Sequence, residues 1–454
     1  MLVELLLSAL PVALPQEGDD PVGRATIYHL DSIETLNGDA LSNASILVRD
    51  GIIERIGASL MVPEHAKVVD LRGTGATAMP PLVVSHASFF PSESRGRGRY
   101  GQYRAVDAVH PDEESLQELR ELGVLFVGVD PPGSGIPGRT SVLRSDSKNF
   151  LDDAVVRDLH LKLSIDMSKT AKELLRKALE DGDKAIEKEK KAFVDWEKAR
   201  KEWKEKQEAK KKAEAEAAKN GKAEDKPATS AQEGKGGNGD KGKNGDGKEE
   251  KAPSETFEAP KMDPSLTPIV EWIRKERVAH IWLDSPGEWL HWKEIIGERE
   301  LAWEVVLYHT TSTNFHEVVE DIAKSGVRVY APSRISFLPS TRVRNNLPLV
   351  LTQAGVKNLV LMPTSPNNVQ AVKDWRVGLS DLVREGLDRN AVLKAISIEP
   401  AKAIGQEETV APLTAGGPAT FVITDGDPLN PFSEVVYMVA SGEVLYDREK
   451  DKEN

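Results

Sequence analysis

The 454-residue chain contains no cysteine. That excludes disulfides, thiolate zinc sites, iron–sulfur clusters and cysteine nucleophiles together, while leaving either redox compartment open. Histidine is scarce, at nine residues, so any metal must be held by a few imidazoles with Asp, Glu or a modified Lys. Positive charge is in deficit: 60 Lys and Arg stand against 73 Asp and Glu, for a formal net charge of −13. Such a surface does not track a phosphate backbone, and a polar or cationic small molecule suits it better than nucleic acid. No apolar run is long enough for a membrane helix.

The longest apolar run near the start, Leu5 to Leu14, is followed by Gln16-Glu-Gly-Asp-Asp20. It is too short to span a bilayer but suits the central region of a secretory signal, with Ala9, Ala13 and Pro15 ahead of a cleavage point. The basic residues that usually open such a signal are missing, and Glu4 has the opposite sign. The expectation is an exported protein, periplasmic or secreted, with residues 1–20 signal-like or mobile; it is cytoplasmic if the run is not a signal.

What is present is ordered along the chain. Ala44 to Gly57 reads as two β-branched runs joined at Asp50-Gly51, a strong hairpin signal. Pro80 to Ser88 and Gly123 to Val129 read as buried, unalternating strands with an amphipathic helix, Asp112 to Leu122, between them. Residues 167–219 form a long Lys/Glu/Ala helical pattern whose apolar positions Ile186, Phe193, Trp196, Ala199 and Trp203 share a face. Between residues 167 and 260 there are 24 basic and 22 acidic residues, so the acidity belongs to the rest of the chain. Asn220 to Ser254 has hardly an apolar residue and is expected to be disordered.

After Pro264 the strand–helix rhythm returns. Val278–Leu283, Trp303–His309, Val327–Ala331 and Asn358–Met362 read as strands, Leu387–Ile404 as one helix, and Ala419–Asp425 with Val435–Tyr446 as a strand and a hairpin turning at Ser441-Gly442. A β element at each end with repeated βα units between predicts an α/β fold: a (β/α)8-type TIM barrel plus a small composite β-domain from both termini. The expected boundaries are 21–78 and 409–454 for the two halves of the β-domain, 79–166 and 263–408 for the barrel, and 167–262 for a charged insertion.

Three apparent motifs fail on their mechanics. Gly96-Arg-Gly-Arg-Tyr-Gly101 has the spacing of a dinucleotide loop but opens no helix. Gly237 to Lys243 lacks the Ser or Thr that a phosphate loop requires, since Asn244 follows. His316-Glu-Val-Val-Glu320 has Glu where a zinc-protease helix needs its second His. The loop carrying Arg95, Arg97, Arg99 and Arg104 follows a strand and is the candidate for holding an anionic group of a substrate, because the guanidinium fork matches carboxylate and phosphate. The crowd of Trp272, Trp282, Trp289, Trp292 and Trp303 reads as aromatic packing.

Ile46 to Gly57, Val69-Asp-Leu-Arg-Gly73 and Met79-Pro-Pro-Leu-Val-Val-Ser-His86 together resemble the opening of the amidohydrolase superfamily, with imidazolonepropionase-like and dihydroorotase-like members nearest. Ala391 to Gly405, Pro418 to Pro428 and Val439 to Gly442 resemble its closing stretch. The resemblance implies one or two divalent metals (zinc, iron or manganese) at the barrel mouth and a metal-bound hydroxide that attacks an amide or cyclic amide. It maps metal ligands onto His86 and His309. The usual His-x-His reads His86-Ala-Ser88 here, Trp282 stands where a further His is usual, and Met362-Pro-Thr-Ser365 lacks the usual Asp. Asp284 and Asp374 are the candidate replacements.

Two functions follow. The first is a hydrolase of carbon–nitrogen bonds other than peptide bonds, acting on a small-molecule substrate. The alternative is a catalytically inactive scaffold of the same fold whose charged insertion, 167–262, contacts a protein partner. Self-association is open in both.

Overall fold

The computed structural model describes residues 25–88, 90, 96–110, 112–147, 154–220, 252–308 and 314–451, with backbone alone for 217–220. Expectations for 1–24 and 221–251 therefore lie outside the described residues.

The first five strands are β1 (Ala25–Ile33), β2 (Leu41–Arg49), β3 (Ile52–Gly57), β4 (Lys67–Asp70) and β5 (Thr77–Met79). Asp50 and Gly51 join β2 to β3 with φ of 48° and 81°. That is the twist a two-residue hairpin turn demands, and glycine supplies it without strain. The same device recurs at Ser441 and Gly442, φ 49° and 82°, which join the last two strands of the chain.

Next come β6 (Leu82–Ala87), the short β7 (Gly98–Arg99), β8 (Val124–Val129), β9 (Gly135–Arg139), β10 (Ser141–Arg144) and β11 (Leu161–Ser164). They are followed by β12 (Ala279–Leu283), β13 (Trp303–Leu307), β14 (Val329–Pro332), the small hairpin β15 (Ser336–Phe337) and β16 (Arg344–Asn345), β17 (Leu359–Met362), β18 (Phe421–Thr424), β19 (Val435–Ala440) and β20 (Glu443–Asp447). Strands from the two ends share one sheet in the order β20-β19-β18-β5-β1-β2-β3, with β4 beside β1. The join is β5 against β18, antiparallel, Ala78 opposite Ile423.

The remaining long strands run parallel from β11 through β12, β13 and β14 to β17, and from β6 to β8. One bent antiparallel segment links the two sets: β10 pairs with β8 and β9 with β11. Thr140 sits at the bend, donating its N–H to His160 O at 2.8 Å and accepting from Leu159 N–H at 2.9 Å. On the far side, Ser88 N–H donates to Pro366 O at 2.6 Å, so the segment after β17 touches the end of β6.

The strands are buried on both faces, as their apolar runs require, but the faces differ. Ile281, Leu283, Val305, Leu307, Val329 and Ala331 belong to the main core. The alternate positions Trp282, Val306, Tyr330, Val360 and Met362 form a smaller, separate cluster. His280, Glu304 and Lys162 share that second face by the period-two rule.

Two readings need correction. Leu387–Ile404 is not one helix but two, Arg389–Ile396 and Ile398–Ala403, broken at Ser397 with φ −130° and ψ −73°. Pro400 has no N–H to continue the ladder, and the Ser397 hydroxyl donates to Leu393 O at 2.6 Å instead. Strand β11 was not read as an element at all. The long helix is observed at Lys169–Asn220: Ala171, Leu175, Ala178 and Leu179 are buried, and Phe193 and Trp196 pack on Phe257 of the returning chain. Among the described residues no helix is long and apolar enough to cross a membrane.

Candidate functional site

The second face of the parallel strands carries a buried polar cluster. His86, fifth residue of β6, is 1 % exposed. Its Nδ1 lies 3.0 Å from Asp130 Oδ2, with both side chains wholly shielded from solvent. Asp130 is the first residue past β8, fixed by its own N–H donating to Ala87 O at 2.9 Å. Burial alone would push the Asp130 carboxyl up. The positive charges of His86 and Lys162 and the hydrogen bond from His86 outweigh it and hold the pKa below the ordinary value. An ionised carboxylate only accepts, so His86 Nδ1 is the donor in this pair. The ring's Nε2 is buried with no hydrogen-bond partner.

His280 on β12 is arranged the same way. Its Nε2 faces Glu304 Oε2 at 3.1 Å, and its Nδ1 is buried without a partner. Glu304, the second residue of β13, also accepts from Arg328 Nη1 at 2.6 Å and from the Tyr330 hydroxyl. His160, just before β11, stacks on His280 with ring centroids 3.7 Å apart. His86 meets His280 edge-on at 4.8 Å and Tyr330 at 4.7 Å. Burial pushes His160 and His280 well below 6.5; His280 adds to this for His160, and His86 adds to it for His280. Both are therefore neutral, the form that ligates metal. Burial followed by the Glu304 charge drives the Tyr330 phenol well above 10, so its hydroxyl stays a donor.

Lys162 of β11 completes the set. It donates to Pro131 O at 3.2 Å and lies 4.5 Å from the centre of the Trp282 ring. Its pKa is lowered by burial, which the Asp130 charge only partly offsets. Past these groups, at the strand ends, Lys162, Ser164, Trp282, Asp284 and Tyr308 line a cavity of about 220 Å³.

His160, His280 and Glu304 offer ligand atoms that all lie within 4.8 Å of one another. A divalent ion needs nitrogen and carboxylate donors at about 2.0–2.2 Å, so this group fits in donor type and its widest pair would have to close by a few tenths of an ångström. The orphaned buried nitrogens of His280 and His86 point the same way, because a histidine that ligates through one nitrogen usually gives its other N–H to a carboxylate.

The candidates read from the sequence are placed as follows. His86 is in the cluster, while His309 and Arg95 lie outside the described residues. Arg97 pairs with Asp166 and Ser168; Arg99 with Asp181, Asp263 and Ser265; Arg104 with Asp107. Arg97 and Arg99 tie this loop to distant segments of the chain, and Arg104 is paired within its own turn. Trp282 flanks His86 at 5.5 Å. Asp284 lines the 220 Å³ cavity, and Asp374 lines a neighbouring one with Thr364.

Asp130, His160, Lys162, His280, Glu304 and Tyr330 were missed. The signal lay in Leu161-Lys-Leu163, Ala279-His-Ile281 and Trp303-Glu-Val305, where one polar residue interrupts an apolar strand; a buried charge is the informative exception in such a run.

Comparison with known proteins gives no match to any family model and none to a curated protein. Solved structures do match. An amidohydrolase from Thermotoga maritima MSB8 is 17% identical, covers 93% of this chain and 100% of its own, and superposes with a TM-score of 0.62. A beta-aspartyl dipeptidase from Fervidobacterium islandicum AW-1 is 11% identical over 93% of this chain and 96% of its own, with a TM-score of 0.50. At these identities the likeness establishes a shared mixed α/β fold. The mixed α/β fold that the resemblance at the two ends of the sequence implies is thus met.

Proposed function

We propose that this chain, which carries the amidohydrolase fold, is a metal-assisted hydrolase of carbon–nitrogen bonds outside peptide linkages, such as those of cyclic amides. The observation that supports it best is the pair of buried imidazoles, His86 and His280, each backed by a carboxylate and each keeping its other ring nitrogen buried without a partner. In this reading the parallel strands close into a barrel around the cluster, with the bent β9–β10 segment as one antiparallel stave and the Ser88–Pro366 contact as the seam.

His160, His280 and Glu304 would hold the ion, with His86 beside them. A divalent ion there would lower the pKa of a bound water and polarise the scissile carbonyl. The chain's own groups do the rest. Asp130 holds His86 in one tautomer, and Arg328 and Tyr330 fix the Glu304 carboxylate. Trp282 and Tyr308 wall the cavity that admits a small substrate. Lys162 places a desolvated amine between the cluster and that cavity.

The second reading, a non-catalytic scaffold, draws on Glu304: its oxygens already accept from His280, Arg328 and Tyr330. Metal analysis separates the two. The enzyme reading expects about one equivalent of zinc, iron or manganese in the purified protein, lost on His280→Ala. Less than about a tenth of an equivalent, unrestored by added metal, would overturn it.

A further inference from the structure

A separate cavity lies where the sheet built from the chain's two ends meets the parallel strands. It measures about 410 Å³, within the range of small-molecule sites, and shares no lining residue with the imidazole cluster. The parallel strands contribute only Leu82, the first residue of β6, where His86 is the fifth. Val435 of β19 and Tyr446 of β20 come from the terminal sheet, and Trp375 and Arg376 open the helix Trp375–Arg384. Leu82, Trp375 and Val435 are buried, so part of the wall is hydrocarbon.

Arg376 is the unusual member. Its Nη1 donates to a neutral partner, Ser433 O, and among the described residues no carboxylate forms an ion pair with it. Burial pushes its pKa down, and only the Asp425 charge opposes this. Asp425 is itself engaged, accepting from Arg448 Nη1 at 2.5 Å and from Glu434 N–H at 2.8 Å. A guanidinium partly withdrawn from water with no anion beside it is costly, and such groups normally have a partner. Arg448 lines the same cavity, and its Nε is buried with no hydrogen-bond partner.

The wall also carries carboxylates with no cation of their own. Glu121 accepts from Gln117 Nε2 at 3.2 Å and Asp451 from Asp447 N–H at 3.3 Å, and among the described residues neither forms an ion pair. Both lie near Tyr446, whose phenol is pushed up to about 12 by burial and then by their charges. Over the whole wall, Lys373, Arg376 and Arg448 balance Glu121, Glu434 and Asp451. A phosphate or a dicarboxylate would meet as much repulsion as attraction there. A molecule with one charge of each sign and a hydrocarbon part complements all of it.

We propose that this cavity is a second small-molecule site, for a zwitterion of the amino-acid class. Its carboxylate would sit on the Arg376 fork, which matches two carboxylate oxygens, its amine at Glu121 and Asp451, and its side chain against Leu82 and Val435. Glu121 and Asp451 are exposed and Arg376 is less so, which sets the direction: carboxylate inward, amine at the rim. The site stands whether or not the imidazole cluster holds a metal.

The test is calorimetry and thermal shift on the full chain with a chelator present, so that amino-acid binding to a metal is not read. L-leucine is titrated beside N-acetyl-L-leucine, which lacks the ammonium, and L-leucinamide, which lacks the carboxylate. Saturable leucine binding is expected, with each analogue weaker by about tenfold or more, because each leaves one charged part of the wall unmatched. Arg376→Gln should weaken leucine binding by about tenfold or more, and Arg376→Lys should recover part of it because the charge returns without the fork. Glu121→Gln, at an exposed position that folding tolerates, should weaken it by about threefold or more, and His280→Ala should change it by less than about twofold. Three results would each overturn the proposal: no saturable leucine binding by the parent up to about 20 mM, equal affinity for N-acetyl-L-leucine, or binding that survives Arg376→Gln and Glu121→Gln. Binding lost in His280→Ala but kept in Arg376→Gln would also overturn it, by placing the ligand in the imidazole cluster.

Discussion

Asp130 accepts the Nδ1 proton of His86 at 3.0 Å in a place that water does not reach. The pair leaves His86 Nε2 buried beside the cluster without a hydrogen-bond partner. Asp130→Asn should let the ring change tautomer, and metal affinity, read by chelator competition, should fall about 10–100-fold. Unchanged affinity would mean that His86 lies outside the coordination sphere.

Glu304 and Arg328 should behave as a unit. In Glu304→Gln the Arg328 guanidinium, 17% exposed, would face a neutral amide. Breaking such a buried pair costs about 3–5 kcal/mol, read as a lowered midpoint in urea at constant slope. A loss under about 1 kcal/mol would show that the guanidinium reaches solvent.

Acid should unfold the protein in two stages. The unfolded chain takes up protons at its histidines near pH 6.5, while buried His160 and His280 stay neutral, well below that value. Stability is therefore full above about pH 6.5 and falls beneath it, at about 1.4 kcal/mol per pH unit for each histidine. The Asp130 contribution is present above its unfolded value and is lost only as pH drops through the still lower folded one. Urea midpoints measured from pH 8 to 4 should be flat at first and then decline. A level profile down to pH 5 would contradict the burial of both rings.

The long helix should be divisible. Its first turns are core, through Leu175 and Leu179 and through ion pairs such as Asp183–Arg299. Beyond Glu189, which pairs with Arg274, it packs mainly on Phe257. Lys188 and Glu189 share a cavity wall with Pro260 and Lys261, so a short Gly/Ser linker can replace 191–258. The thermal midpoint should move by no more than roughly 2–4 °C, about 1 kcal/mol. Failure to fold would place the distal helix in the core.

The fold was legible where local chemistry dictates geometry. Asp50-Gly51 and Ser441-Gly442 announce their turns through the positive φ they must adopt, and Asp112 caps its helix by accepting from Ser115 N–H. The apolar strands β6, β8 and β12 declared themselves by composition. The cluster was harder to read, because a single His or Lys inside an apolar strand does not reveal which strands will be neighbours. His160, Lys162 and Glu304 meet only through the registers of β11, β12 and β13, and pairing across 142 residues leaves no local trace. His86 was found because it stands in a motif; His280 has none.

The joining of the chain's two ends in one sheet has a consequence for its synthesis. Thr424 donates its hydroxyl to Thr77 O across 347 positions of sequence, and β5 has no partner on that side until β18 exists. At about 5–20 residues per second, the ribosome leaves the β5 edge waiting roughly 20–70 s. During that interval the nascent β1–β5 sheet offers a bare row of N–H and C=O groups to any extended peptide nearby. The cell's problem with this protein is therefore one of timing, and a chaperone that shields that edge should matter more to its yield than any single contact in the finished molecule.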